Sequence, residues 1–411
     1  MGVVSPILPD HDPFSALTLP GHSKPAEPAG QSEPAEPRES PGQREQVWTS
    51  LRPRDAVHVR DGRTIISGAG GAARTRQPWP TTIAGALGAA FAARPGTPRP
   101  RTVRGPFLGY REGPAPEWSL TFPMPADLVR TQDGHGWRRV RPRDLEGVRT
   151  DADEPGMRFL HADDAGDSPD DLWLHREDLE NHLCGHDPDQ DELDDLKPPM
   201  ERERRVGIAR EDRAVMHSHT YTTEYLRLKD TQLRTWAFLA VSELAPGAAA
   251  PEPGPVRLGG GGRVADLEVC QAEHSPNFPQ RPKSFPGGKV LVYLATPAIW
   301  RVRGDREGWR NRWAPPLPEN AHLVAAAVKR AEHVASSGLD GQKTPRYAWL
   351  RWAVPAGSVY LLQFTGPAPE AAAERWARRS HARAWGETDS DEVTRELATA
   401  GFGLVLTGTW T

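Results

Sequence analysis

The sequence predicts an α+β protein. Strand-like and helical patterns follow one another as strand, helix, strand twice over. No alternating strand–helix series runs through the chain, which argues against a doubly wound parallel sheet. At 411 residues the chain is also longer than a single core usually holds, so two or three domains are expected. Only 37% of residues are hydrophobic, and 42 Pro and 39 Gly make up a fifth of the chain. Part of it must therefore be loop or disorder.

Residues 1–46 read as a tail. Residues 1–45 hold nine prolines and the near-repeat AEPAGQSEPAEP, a composition that cannot bury a core and predicts disorder. Order is expected from Val47. Asp55-Ala56-Val57-His58-Val59-Arg60 alternates as a strand, and Asp61-Gly62 marks a turn. Over residues 77–93, Thr81 or Thr82 can cap a helix whose apolar stripe is Ile83, Leu87 and Phe91. Its small residues Gly85, Ala86, Gly88 and Ala89 predict close approach to a sheet. Residues 118–122 alternate as a further strand, and Pro123 and Pro125 confine its continuation to an edge or loop. These elements make a first domain over residues 47–150.

Residues 151–200 read as an acidic surface insertion with one short amphipathic helix at 172–183. A second domain, residues 201–411, reopens with the strand 205–209. Strands at 220–228 and 234–244 follow, and Lys229 to Gln232 suits a hairpin turn between them. Residues 289–300 read as a buried strand, and 352–364 as a strand pair about the tight turn Pro355-Ala356-Gly357. Residues 369–379 and 390–400 look helical, Gly401 suits the stop of the second helix, and 402–410 close as a strand.

The formal charge of −4 hides an uneven distribution. Residues 161–195 hold 14 Asp/Glu against the single base Arg176, and residues 1–45 hold seven acids against three bases. The rest of the chain therefore carries +13, which favours a polyanionic partner such as nucleic acid. With only Cys184 and Cys270, a disulfide scaffold and a four-cysteine zinc site are excluded. No run approaches ~18 apolar residues, and the N-terminus lacks a basic leader with an apolar core, so a cytoplasmic protein without a membrane partner is expected.

The sharpest local motif is Gly259-Gly260-Gly261-Gly262-Arg263, a loop whose amides can face phosphates while Arg263 adds charge. It lacks the Lys-Ser or Lys-Thr of a P-loop, which disfavours nucleotide hydrolysis. Arg202, Arg204, Arg205, Arg210, Arg213 and Arg227 cluster around Tyr221 and Tyr225, the pairing of cations and aromatic faces by which sheets read single-stranded RNA. His182, Cys184 and His186 could ligate a metal only with a fourth partner, and the same residues suit a solvated segment, so no metal and no cofactor are expected. His217 and His219 share a face of a strand and could serve an RNA-cleaving acid–base pair, or merely a polar strand. No serine or cysteine nucleophile signature is present.

Taken in order, seven segments resemble the Cmr third-subunit family, the RAMP proteins of type III-B CRISPR–Cas effector complexes. They are LRPRDAVHVRDGR with QPWPTTIAGALGAAF, RGPFLGYREG with WSLTFPMPADLV, RRVGIAREDRAVMHSHTYTTEYLRLKD, LGGGGR, LATPAIW, AVPAGSVYLLQF and GFGLVLTGTW. The similarity spans residues 47–411 apart from the acidic stretch. The resemblance implies two tandem ferredoxin-like (RRM-like) domains and a non-catalytic role. Such a subunit grips the 5′ tag of the CRISPR RNA and joins the large polymerase-like subunit to the repeated RAMP backbone subunits. The residues expected at the RNA are Arg60, Arg204, Arg205, Tyr225, Arg227, Gly259, Gly260, Gly261, Gly262 and Arg263. Two other readings stand beside this one: a RAMP endoribonuclease using His217 or His219, and a protein-only adaptor docking through its acidic segment.

Overall fold

The computed structural model describes residues 45–411 except 60–71, 74, 94–95, 145–146, 148–155, 170–171, 188–196, 198, 212–213, 304–308, 340–344 and 388–390. The tail expected over residues 1–46 thus falls almost wholly outside the described residues. The first elements are β1 (Gln46–Pro53), β2 (Ala72–Ala73), α1 (Pro80–Ala92), β3 (Thr102–Glu112), β4 (Ser119–Pro123), β5 (Leu128–Arg130), β6 (Trp137–Arg139), β7 (Arg141–Arg143) and β8 (Phe159–His161). There follow β9 (Trp173–His175), α2 (Arg176–Leu183), β10 (Met200–Glu211), β11 (Ala214–Leu228), β12 (Arg234–Glu243), β13 (Gly254–Arg257) and β14 (Val264–Val269). The chain ends with β15 (Lys289–Leu294), β16 (Trp300–Arg303), β17 (Trp309–Arg312), β18 (Ala321–Ala327), β19 (Glu332–Leu339), β20 (Pro345–Ala353), β21 (Val359–Phe364), α3 (Pro369–Ser380), β22 (Arg383–Ala384), α4 (Glu392–Thr399) and β23 (Leu404–Gly408). The α+β class read from the sequence holds.

Two main sheets stack between helices. The larger runs β13-β14-β1-β12-β3-β4-β9 and the smaller β18-β21-β15-β23-β22. Strand β12 lies at the centre of the larger because its run Trp236 to Val241 is apolar on both faces. One face of this sheet packs on α1 through Ile83, Leu87 and Phe91. The other meets the smaller sheet: Trp48, Phe107 and Leu239 share a core with Leu291, Tyr293, Leu361 and Leu406. The far face of the smaller sheet is covered by Ala373, Trp376 and Ala377 of α3 and by Trp300 and Trp385. Each leucine, isoleucine or phenylalanine side chain among these contributes about 1.5–3 kcal/mol when fully buried.

The larger sheet interleaves strands from the segments read as first domain, acidic insertion and second domain. β1, β3 and β4 precede residue 151, β9 lies within 151–200, and β12 to β14 follow it. The helix expected at 172–183 is split: Trp173–His175 is the edge strand β9, and only Arg176–Leu183 is helical. Leu174, Leu179 and Leu183 are fully buried, so this acidic segment contributes to the core.

Other local expectations shift for physical reasons. Helix α1 starts at Pro80, which has no N–H to satisfy, after Trp79, so Thr81 and Thr82 lie inside it and cap nothing. A side chain added at Gly85 or Gly88 would meet open space, and the close approach expected there is not made. Lys229 to Gln232 do not close a hairpin. β11 pairs with β10, while β12, apolar on both faces, enters the larger sheet between β1 and β3. Likewise Pro355 to Gly357 separate β20, paired with β19, from β21, paired with β15 and β18. Gly401 does stop α4, with φ 103°. The Gly401 and Phe402 amides donate to the Ala398 and Leu397 carbonyls, a Schellman closure.

Helix α2 is pinned by a buried triad. His182 Nε2 lies 3.1 Å from Asp127 Oδ1, and Arg139 Nε donates to Asp127 Oδ2 at 3.1 Å. Burial, reinforced by Arg139, pushes the His182 imidazole below its usual value against the pull of Asp127. Below about pH 6.5 the unfolded chain takes a proton that folded His182 refuses, so stability falls with pH there by at most about 1.4 kcal/mol per unit. His381, lowered chiefly by burial, acts in the same sense. The melting temperature is expected to drop between pH 7.5 and 5.5, and to drop less in His182→Gln. An equal drop in that variant would remove His182 from the account.

Candidate nucleic-acid interface

A ribbon of β10 and β11 extends this framework, joined in parallel to β2. Its antiparallel register decides which side chains share a face. Glu203 stands opposite Tyr225, Arg205 opposite Thr223 and Glu201 opposite Arg227, so Glu203, Arg205, Tyr225 and Arg227 lie on one face. Arg202 and Arg204 project from the other, where each reaches the buried Glu224, at 3.9 and 3.8 Å. The register thus separates Arg204 from Arg205 and Arg227.

Asp55, in the turn after β1, gathers the first face. Its Oδ1 accepts from Arg227 Nη2 at 2.6 Å, and its Oδ2 from Arg205 Nη2 at 3.0 Å and Arg263 Nη1 at 2.7 Å. Glu203 adds a second carboxylate, accepting from Arg205 Nε at 2.7 Å and Arg227 Nη2 at 2.8 Å. The Arg205 and Arg263 guanidinium carbons lie 4.6 and 4.4 Å from the Tyr225 ring centroid. Tyr225 is half-buried and orients two cations. Partial desolvation pushes the Asp55 carboxyl up, but Arg205 and Arg227 outweigh it and hold it below its usual value. Hydrogen bonds from Arg205, then Arg227, draw Glu203 down to about 2. Both acids stay ionised near neutral pH, and three guanidiniums against two carboxylates leave a small positive excess.

The glycine run is the turn of the β13–β14 hairpin and brings Arg263 to Asp55. The Gly260 amide donates to the His58 carbonyl at 2.7 Å. Gly259 has φ 77°, and a Cβ there would stand 2.7 Å from that same oxygen, so only glycine fits. Gly261 and Gly262, with φ 67° and 68°, are exposed, and their amides make no hydrogen bond with a described residue. Beneath the ribbon, His58 Nδ1 lies 3.1 Å from Thr75 Oγ1 and 3.0 Å from the Glu224 carbonyl, a buried polar layer that fixes the hairpin against β11.

The structure therefore brings together Arg205, Tyr225, Arg227, Arg263 and Gly259 to Gly262. Arg60, Arg210 and Arg213 have side chains outside the described residues, as do His217 and His219 on β11. Asp55, Glu203, His58 and Glu224 were not among the expected site residues. Asp55 sits 150 to 208 residues from its arginines, beyond the reach of any local pattern. Among the described residues no group of three or more His, Cys, Asp or Glu could hold a metal, and no helix is long and apolar enough to cross a membrane.

The family model described as CRISPR-associated protein (Cas_Cmr3) matches residues 49–410. Two solved structures are similar to the chain. The first, described as a cryo-EM structure of the Type III-B Cmr-beta bound to cognate target RNA, is 13% identical with a TM-score of 0.44. The match covers 88% of this chain and 96% of that one. The second, the same assembly with target RNA and AMPPnP, is 12% identical with a TM-score of 0.42, covering 87% and 95%. No curated protein matches the chain.

Proposed function

This chain belongs to the CRISPR-associated protein (Cas_Cmr3) family, and from that premise we propose that it is a non-catalytic RNA-binding subunit of a type III-B effector complex. In this reading it grips the 5′ tag of the CRISPR RNA and joins the large polymerase-like subunit to the RAMP backbone subunits. The observation that carries the reading is the junction at Asp55. Three arginines are held in fixed positions beside a glycine turn whose open amides suit a phosphate. A carboxylate so placed orients cations rather than activating a nucleophile.

The reading also treats the two main sheets as tandem ferredoxin-like platforms, bounded by sheet rather than by stretch of sequence. Support comes from the smaller one. Numbering its main strands by chain order β15, β18, β21, β23, their arrangement across the sheet is four, one, three, two, all antiparallel, with α3 and α4 before the last.

Purified with its partners, the chain is expected to bring down short RNAs sharing one 5′ end; a heterogeneous RNA population would overturn the proposal. Arg263→Ala is expected to weaken guide binding by about 1–3 kcal/mol, measured by titration with tagged and untagged RNA. Unchanged affinity would remove the loop from the site. Metal-independent cleavage of repeat RNA, abolished by His217→Ala or His219→Ala, would replace the reading with a nuclease.

A further inference from the structure

A cleft of about 970 Å³ opens between the β10–β11 ribbon and the β19–β20 hairpin, floored by Phe107 of β3. It uses the ribbon face opposite the Asp55 junction, since Arg202 and Leu226 line it. Five lining side chains are basic: Arg76, Lys197, Arg202, Lys329 and Arg330. Glu332 is the one carboxylate among them and is paired with Arg76 at 3.3 Å. Lys197 and Arg330 are exposed and make no ion pair with a described residue. At the rim stands Trp352, 54% exposed, with the His333 ring packed on it at a centroid distance of 3.9 Å.

These features fit one ligand chemistry. Excess fixed positive charge draws a polyanion, and a run of acidic side chains such as oligoglutamate has no ring to stack on a half-exposed indole. A single-stranded nucleic acid uses both, because each base has a face to stack and each linkage a phosphate to pair. A duplex would not present an unstacked base. We infer that this cleft is a second RNA-binding surface, in which a base of a single strand stacks on Trp352 while Arg330 and Lys197 meet the flanking phosphates. The inference rests on the reading of the chain as an RNA-binding subunit and extends it to a surface that the sequence motifs did not mark.

The test titrates the full chain with a short fluorescein-labelled oligoadenylate and reads anisotropy at several salt concentrations. Trp352→Ala is expected to weaken binding about five- to a hundredfold, with Trp352→Tyr recovering most of the loss. Arg330→Ala, at an exposed position, is expected to flatten the salt dependence by about one unit in log–log slope. Wild-type affinity and slope in Trp352→Ala and Arg330→Ala would overturn the inference. So would equal loss in the alanine and tyrosine variants, or displacement of the RNA by oligoglutamate at matched charge. Arg263→Ala run in parallel separates the two sites. If that variant alone loses affinity, the Asp55 junction stands and the cleft falls; if only the cleft variants lose it, the reverse holds.

Discussion

Replacing Gly401 with alanine is expected to cost about 2–5 kcal/mol of stability. The residue closes α4 with φ 103°, a conformation that an L side chain adopts only under strain. Its α-carbon also presses on a strand of the larger sheet: a Cβ would stand 2.7 Å from the Val103 carbonyl and 3.0 Å from that of Gly105. Those oxygens belong to β3, and Thr296 Oγ1 donates to the Gly401 carbonyl at 2.7 Å, so the end of α4 cannot easily withdraw. Strain and overpacking therefore add. Urea denaturation of Gly401→Ala would measure the sum, and a loss below about 1 kcal/mol would mean that β3 yields to the new methyl group.

Asp55→Ala is expected to narrow the preference for tagged guide over unrelated RNA by tenfold or more, about 1.4 kcal/mol. Removing the carboxylate leaves Arg205, Arg227 and Arg263 with Glu203 as their remaining acid, and Glu203 reaches only the first two. Affinity for any RNA should rise with the added positive charge, and its salt dependence should steepen. The fixed placement of the three guanidiniums, on which the expected discrimination depends, is lost at the same time. Competition between the two RNAs at constant salt checks this, and an unchanged ratio would show that the arginines hold their positions without Asp55. Because the group is partly exposed, the accompanying loss of stability is expected to stay near about 1 kcal/mol.

Much of the architecture was legible in the residues. Ile83, Leu87 and Phe91 announced the buried stripe of α1, and Gly401 the end of α4. What failed was pairing. Lys229 to Gln232 look like a hairpin turn whether the strands they join pair or part. That choice was made by the two apolar faces of β12, which only the centre of a sheet can cover. Leu174, Leu179 and Leu183 fall within the amphipathic helix expected at 172–183, but the acidic composition of residues 161–195 assigns that segment to the surface, whereas all three leucines enter the core. At the interface, Arg205, Tyr225, Arg227 and Arg263 stood out as cations and aromatic near glycines. Arg204 was drawn in by adjacency, and its opposite orientation comes from the two-residue period of a strand. Asp55 carried no signal because its partners are remote. The cleft at Trp352 was invisible for the same reason, since its lining residues come from distant parts of the chain.

The carboxylate of Asp55 is made early in translation, and its last guanidinium partner, Arg263, is added 208 positions later. A ribosome working at about 5–20 residues per second needs roughly ten seconds or more to cover that interval. Until then the emerging polypeptide can hold at most two of the three arginines that meet at this carboxylate. A product abandoned midway, or cut before the glycine turn, would lack the Arg263 contact permanently and leave Asp55 with its ribbon partners alone.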